Sequence, residues 1–295
     1  MRRTLPYVAV AGAAVLFGST FTVIKSAVES MPPMAFITWR FLIAAVVLLA
    51  LRRPGNRRVW RDGILAGSFL FVGFASQTQG LVTTSASNSA LITGLYVIMV
   101  PLLVAVAKRS RPGLATLLGA ATGIFGLALL TNVSLSEVVA GSVERGDLLT
   151  VAAATAFASH IVALSYTARN HHLIEFTAVQ MLTVAGMAAL MSAIREGLPL
   201  PTQTDLLPLI MTGLIVSIGA FLLQIWGQSH MSAARAGIIL SLEPVVGAGL
   251  AAIILGEHLD GRAWLGAALI VGSIYIVMWA TSDEVVALET ISTSS

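Results

Sequence analysis

The chain has 295 residues, of which 57% are hydrophobic and only 11% charged, and its mean hydropathy is +0.89. About a quarter of residues in a soluble domain are charged, so these figures exclude an ordinary globule and define a polytopic membrane protein. A net charge of +3, with the basic residues mostly in short loops, carries no nucleic-acid signature, and the absence of cysteine excludes disulfides, thiol chemistry and cysteine metal sites.

The basic start and apolar run of MRRTLPYVAVAGAAVLFGSTF resemble a signal peptide, but the run continues towards Lys25 without a cleavage site and reads as a retained first helix. Charge clusters and Pro/Gly/Ser breaks then divide the chain into ten candidate helices at 5–27, 34–52, 62–82, 88–108, 113–131, 147–167, 174–194, 206–228, 234–256 and 262–281. Each is long enough to cross about 30 Å of hydrocarbon at about 1.5 Å per residue. A polar tail follows from Ser282.

If the ten helices alternate, twelve basic residues fall on one side: Arg2, Arg3, Arg52, Arg53, Arg57, Arg58, Arg61, Lys108, Arg109, Arg111, Arg169 and Arg235. Only Lys25, Arg145, Arg195 and Arg262 fall on the other, with Arg40 inside a helix. This bias places both termini in the cytoplasm.

The chain reads as duplicated. Shifting Gly94–Lys108 by about 143 positions onto Gly237–Glu257 sets Ser89 on Ser232, Ala90 on Ala233, Gly94 on Gly237 and Pro101 on Pro244. A second shift, of 140, sets Phe17 on Phe157, Ser19 on Ser159, Phe36 on Phe176 and Arg40 on Gln180. The expected units are 1–135 and 136–281, with 282–295 as the tail. Because five helices per unit is an odd number, the second unit enters the membrane inverted, an arrangement many secondary transporters use to build two gates around one midplane site. Pro101 and Pro244 are each expected to interrupt a hydrophobic helix, freeing a carbonyl that protein or a wet cavity must cover.

The segments LFGSTFTVIKSAVESMPPMAFITWRF and LEPVVGAGLAAIILGEHLDGRAWLGAALIVGSIYIV resemble the drug/metabolite transporter superfamily, and within it the ten-helix EamA-type exporters. The resemblance spans Leu5 to about Thr281. Its most specific part is the Pro244 to Glu257 spacing followed by Gly266 and Gly272. It is greatest to exporters of amino acids, of the aromatic and methionine-exporting type. It implies an all-α fold of two inverted five-helix repeats in a bacterial inner membrane, and export rather than import. Val100 stands where an acidic residue would precede Pro101, and Lys108 lies near the place of the LGE ending, so functional symmetry between the halves stays open.

No hydrolytic, kinase, metal or phosphate-loop motif is present, which points away from an enzyme and from any cofactor. The candidate site is therefore the polar chemistry inside apolar helices, where each charged group is costly. Glu243 is either a proton-coupling or ammonium-binding carboxylate or a structural group beside Pro244. Arg40 could hold a substrate carboxylate, although its recurrence in the family pattern favours an internal ion pair or carbonyl clamp. Gln77 and Gln79, and Gln224 and Gln228, are approximate counterparts whose amides suit a zwitterion. At most one of each pair is expected to face a cavity. Tyr96 offers an aromatic wall with a polar tip, and His160 a titratable or hydrogen-bonding ring. Ser19, Thr20, Asn88 and Trp39 form a second tier. Glu257 reads as an interfacial helix end, Trp60, Trp264 and Trp279 as interface anchors, and Gly119, Gly123, Gly126, Gly266 and Gly272 as sites of close helix contact.

Arg40 is nearly alone at mid-depth, so a nucleotide sugar or phosphate ester would lack compensation. The expected cargo is a neutral or zwitterionic small molecule, amino acids first and amphipathic drugs second. With no ATP-binding motif, energy comes from the cargo gradient or an ion, for which H⁺ is the candidate. A lipid or lipid-carrier flippase and a non-transporting scaffold or sensor are the alternatives. The expected assembly is a monomer or weak homodimer.

Overall fold

The computed structural model describes residues 4–107, 109, 113–130, 144–273 and 275–276. Arg2, Arg3, Lys108, Arg111, the boundary between the expected units, Trp279 and the tail lie outside them.

Among the described residues the chain forms ten helices and no strand. They are α1 (Leu5–Ala27), α2 (Pro33–Leu51), α3 (Arg57–Gly80), α4 (Ala86–Ala107), α5 (Leu114–Leu130) and α6 (Arg145–Thr167). The second set continues with α7 (Leu173–Arg195), α8 (Gln203–Gln228), α9 (Ala233–Ile254) and α10 (261–273). Seven of these, α1, α2, α4 and α6 to α9, are both long and apolar enough to cross a membrane. The fold is that of an all-α polytopic membrane protein.

The starts follow capping chemistry. Asn56 accepts from Val59 N at 2.9 Å, so α3 begins five residues before the hydropathy boundary and carries Arg57, Arg58 and Arg61 on its first turns. Charge ends an apolar run but does not end a helix. Ser85 and Ser232 cap α4 and α9, accepting from Asn88 N and Arg235 N, and Thr202 with Asp205 forms a capping box on α8.

Both expected proline breaks are displaced. Helix α4 is interrupted at Gly94–Leu95, between Ala86–Thr93 and Tyr96–Ala107, and Pro101 lies inside the second segment. Helix α9 is interrupted at Ser241, and Pro244 is the third residue of Leu242–Ile254, where its missing N–H has no intrahelical partner to lose. The cause is a crossing. A Cβ on Gly94 would lie 2.8 Å from Pro244 Cγ, so the two helices meet where α4 has no side chain. There Leu95 N and Val97 N bond tightly to the carbonyls of Ile92 and Gly94, each at 3.1 Å.

The caps Ser85 and Ser232 stand 147 positions apart, as do the interruptions at Gly94 and Ser241. Backbone geometry thus sets the register at 147 rather than the 143 suggested by the prolines, and Glu243 is the counterpart of Tyr96 rather than of Val100. Contacts repeat under this shift for the third and fourth helices of each half, and under 140 for the first. A Cβ on Gly80 would lie 2.8 Å from the Gly146 carbonyl, and one on Gly227 would lie 2.8 Å from the Pro6 carbonyl. The rings of Phe17 and Phe221 meet edge-on at 5.0 Å, and those of Phe157 and Phe74 at 5.1 Å. Each pair joins one half to the other.

Hydrogen bonds sort the helix ends into two mouths. At one, Lys25 at the end of α1 donates to the Leu81 and Thr84 carbonyls. Thr84 also donates to Asp147, Ser30 donates to Asp205, and the N–H groups of Met34 and Ala35 donate to Glu196. At the other, Arg52 and Gly55 N donate to Glu175, His171 meets Asp62 at 2.8 Å, and Arg169 at the end of α6 donates to the Ser229 carbonyl. The first helix of each half thus ends at a different mouth.

Helices α5 and α10 pack through small residues. A Cβ on Gly126 would lie 2.8 Å from the Gly266 carbonyl and one on Gly123 would strike Ile98, whereas nothing lies near Gly272. Trp60 and Trp264 are exposed near the starts of α3 and α10.

Candidate functional site: a chamber between the halves

One cavity lies where α1, α3, α4, α6, α8 and α9 converge. Its walls are five matched pairs of side chains from the two halves: Phe17 and Phe157, Thr20 and His160, Phe74 and Phe221, Gln77 and Gln224, Tyr96 and Glu243. Leu70, Ile161 and Leu240 complete it. The open volume is ≈ 40 Å³, enough for a few waters and too little for an amino acid.

Three of the pairs are chemically equal and two are not. Thr20 donates to the Phe17 carbonyl at 2.7 Å, while its counterpart His160 meets Gln180 Oε1 through Nε2 at 2.8 Å. Gln180 uses its amide nitrogen on the Phe176 carbonyl, so His160 Nε2 is the donor and Nδ1 is left as an acceptor. Tyr96 Oη lies 2.7 Å from the Leu240 carbonyl and 3.1 Å from Glu243 Oε2. Gln77 donates to Thr93 Oγ1 at 3.0 Å. Among the described residues, the Gln224 amide has no hydrogen-bond partner. It remains available to a ligand.

Other candidates sit elsewhere. Gln79 is exposed, and the buried Gln228 donates to the Ile161 carbonyl at 2.6 Å, so one glutamine of each pair lines the chamber: a spacing of two residues turns Gln79 away from Gln77, whereas Gln228, four residues from Gln224 and on the same face, is taken up by its own bond. Ser19 bonds back to the Leu16 carbonyl, Trp39 reaches the Pro199 carbonyl at 2.9 Å, and Asn88 lines a separate outer recess with His258 and Arg262. Pro101 and Pro244 do not line the chamber. Glu257 receives Ala86 N at 2.9 Å and Ser87 N at 2.8 Å, which makes it a clamp on α4 from the other half. Arg40 is buried behind Phe74, and among the described residues it has neither the carboxylate nor the carbonyl partner expected of it. Its partner is the Ser217 hydroxyl.

The four phenylalanines were not among the sequence candidates. Phe17 and Phe157 already aligned at a shift of 140, and the signal for the other two was present in the coincidence of Phe74 with Phe221, Gln77 with Gln224 and Gly80 with Gly227 at one shift of 147. Among the described residues no three His, Asp or Glu side chains gather as a metal site.

A helix bundle that encloses a partly polar chamber, with walls drawn pairwise from two repeated halves, has the architecture of a multi-pass membrane carrier. The EamA-like transporter family model matches residues 4–132 and again 144–279, and the chain belongs to this family. It is similar to an uncharacterized transporter of Archaeoglobus fulgidus, 29% identical over 90% of this chain and 82% of that one. It is also similar to probable amino-acid metabolite efflux pumps of Salmonella typhimurium and Escherichia coli, each 28% identical over 89% of this chain and 91% of theirs. A solved crystal structure shares the fold with a TM-score of 0.66, at 23% identity over 92% of this chain and 96% of that one. The protein is a membrane transporter of small molecules and not an enzyme.

Proposed function

We propose that the protein is a secondary exporter of small neutral or zwitterionic amino acids with apolar side chains, working by alternating access between the halves 1–135 and 136–281, inverted about an axis in the membrane plane. The observation that carries this reading is the chamber itself: two pairs of phenylalanines form an apolar enclosure, and amides, a phenol, an imidazole and a carboxylate are set into it. Such a wall offers an apolar side chain its surface and an ammonium or carboxylate group its hydrogen bonds, without several fixed charges. The chamber is too small for cargo and both mouths are bridged, which fits an occluded state between two open ones.

Glu243 is the coupling group in this reading. Tyr96 has one proton and two acceptors nearby. A protonated Glu243 satisfies both bonds, because Tyr96 then donates to the Leu240 carbonyl and receives from the carboxyl; an ionised one must share the phenol proton. Cargo binding can exploit this difference to exchange with H⁺. The excess of basic residues at the mouth near Arg52 and Arg169 favours the cytoplasmic side for that mouth and for both termini, in an inner membrane.

Flux of labelled methionine, threonine and phenylalanine in proteoliposomes tests the reading. Saturable uptake of at least one, reduced at least tenfold by Gln224→Leu, is expected. Equal and unsaturable leakage of all three in wild type and variant would end it.

A further inference from the structure

Arg40 presents an unsolved charge. It is 1% exposed near the middle of α2, and among the described residues no carboxylate lies within ion-pair distance. Its Nε donates to Ser217 Oγ at 2.9 Å, and its guanidinium carbon lies 4.9 and 5.0 Å from the ring centroids of Phe41 and Phe74. Nη2 is buried with no hydrogen-bond partner. One hydroxyl and two ring faces leave a cation in low dielectric largely uncompensated, whereas an apolar side chain of similar length would carry no such penalty. Among the described residues, nothing beyond Ser217 and the two rings answers this charge, which leaves it open to an anion from outside.

Two features suit that anion. Ser217 lies in the π-helical stretch Met211–Ala220 of α8, and this widened winding brings its hydroxyl against Arg40. Close approach of the backbones helps, since a Cβ on Gly213 would lie 3.0 Å from the Arg40 carbonyl. Phe74 belongs to both places: one ring lines the chamber and carries the guanidinium. The counterpart position in the other half, Gln180, is neutral and already bonded to His160, so this feature is confined to one half.

We infer that Arg40 and Ser217 form an anion subsite that opens off the chamber when the Phe74 ring turns, and that it takes a monovalent carboxylate or halide. The carboxylate arm rests on the amino-acid reading above, in which the anion is the cargo's own carboxylate. The halide arm does not.

Melting temperatures of the purified full-length protein test this, with ionic strength held by a bulky sulfonate. Chloride, propionate, methionine and the carboxamide of methionine are titrated in turn. In wild type, at least one anion raises the melting temperature saturably, and the carboxamide binds at least tenfold more weakly than methionine. Arg40→Met removes these shifts while melting no lower than wild type in sulfonate alone, because it removes an uncompensated charge. Should Arg40→Met fail to fold, Ser217→Ala keeps the charge and is expected to weaken the same shifts at least threefold. Shifts from chloride alone would support the halide arm and remove the carboxylate arm, leaving the amino-acid reading to the flux assay. No shift in wild type, or equal shifts in wild type, Arg40→Met and Ser217→Ala, would overturn the subsite.

Discussion

The phenol oxygen of Tyr96 lies 3.1 Å from the carboxylate of Glu243, and the two residues occupy equivalent places in the two halves, each two positions beyond the interruption of its helix. Residues related by an internal repeat meet across its axis only if that axis runs between them. The contact therefore marks the centre of the chamber, and its chemical inequality marks where the two halves stop being interchangeable.

Glu243→Gln keeps a donor for the Tyr96 oxygen but removes the exchangeable proton. Flux driven by a pH gradient is expected to fall at least tenfold, with counterflow of cargo retained, when both are measured in the same proteoliposomes. A variant that still follows the pH gradient would place coupling elsewhere. Tyr96→Phe leaves the Leu240 carbonyl without that donor, and its effect should appear at every pH.

Gln77 and Gln224 are equivalent in position and unequal in occupation, so their substitutions should separate. Gln77→Leu leaves the Thr93 hydroxyl without its partner and is expected to destabilise by about 0.6 kcal/mol, the usual size of an interhelical bond in lipid. Gln224→Leu breaks no bond among the described residues. It should leave the melting temperature within about 1 °C of wild type while raising KM at least tenfold. Equal effects of the two on stability would contradict the free amide.

Much of this was legible in the sequence because hydropathy fixes spans. Nine of ten predicted helix starts lie within three residues of those observed, and α3 departs because Asn56 caps a turn rich in arginine. Register was harder. Pro101 and Pro244 suggested a shift of 143, yet their backbones do not occupy equivalent places; hydrogen-bonded caps and a helix crossing at Gly94 decide the matter. The site was legible in its polar members and not in its aromatic ones, since a phenylalanine in an apolar helix has the same hydropathy whether it faces lipid, core or cavity. The pairing of Arg40 was not legible either, because α8 reaches it through a local π winding that no periodicity announces.

Gly73 offers a test of the aromatic wall from behind. A Cβ there would lie 2.5 Å from the Phe157 ring, which lines the chamber and has Phe74 edge-on at 5.1 Å. Gly73→Ala must push that ring inward or separate α3 from α6. Loss of at least tenfold in flux with a folded, monodisperse protein is expected, and Phe157→Leu in the same chain should restore a substantial part of it. No restoration would assign the loss to helix separation instead.

The clamps at the mouth near Lys25 predict which way the protein opens when they are cut. Glu257 holds two N–H groups at the start of α4, and Glu196 holds those of Met34 and Ala35 at the start of α2; all four bonds run between the second half and the first. Loss of such a cap costs about 1 kcal/mol, so cutting both shifts the balance between closed and open by about 5- to 30-fold. Because the chain contains no cysteine, a single Thr20→Cys reports the chamber without background. Its labelling by a membrane-impermeant thiol reagent applied from the side of the Lys25 mouth, the periplasmic one in the function proposed above, should quicken by about that factor in Glu196→Ala/Glu257→Ala. The equivalent cut at the other mouth, Glu175→Ala, breaks the bonds to Arg52 and Gly55 and should slow it. Identical labelling in all three backgrounds would mean that these bonds cap helices without holding a gate.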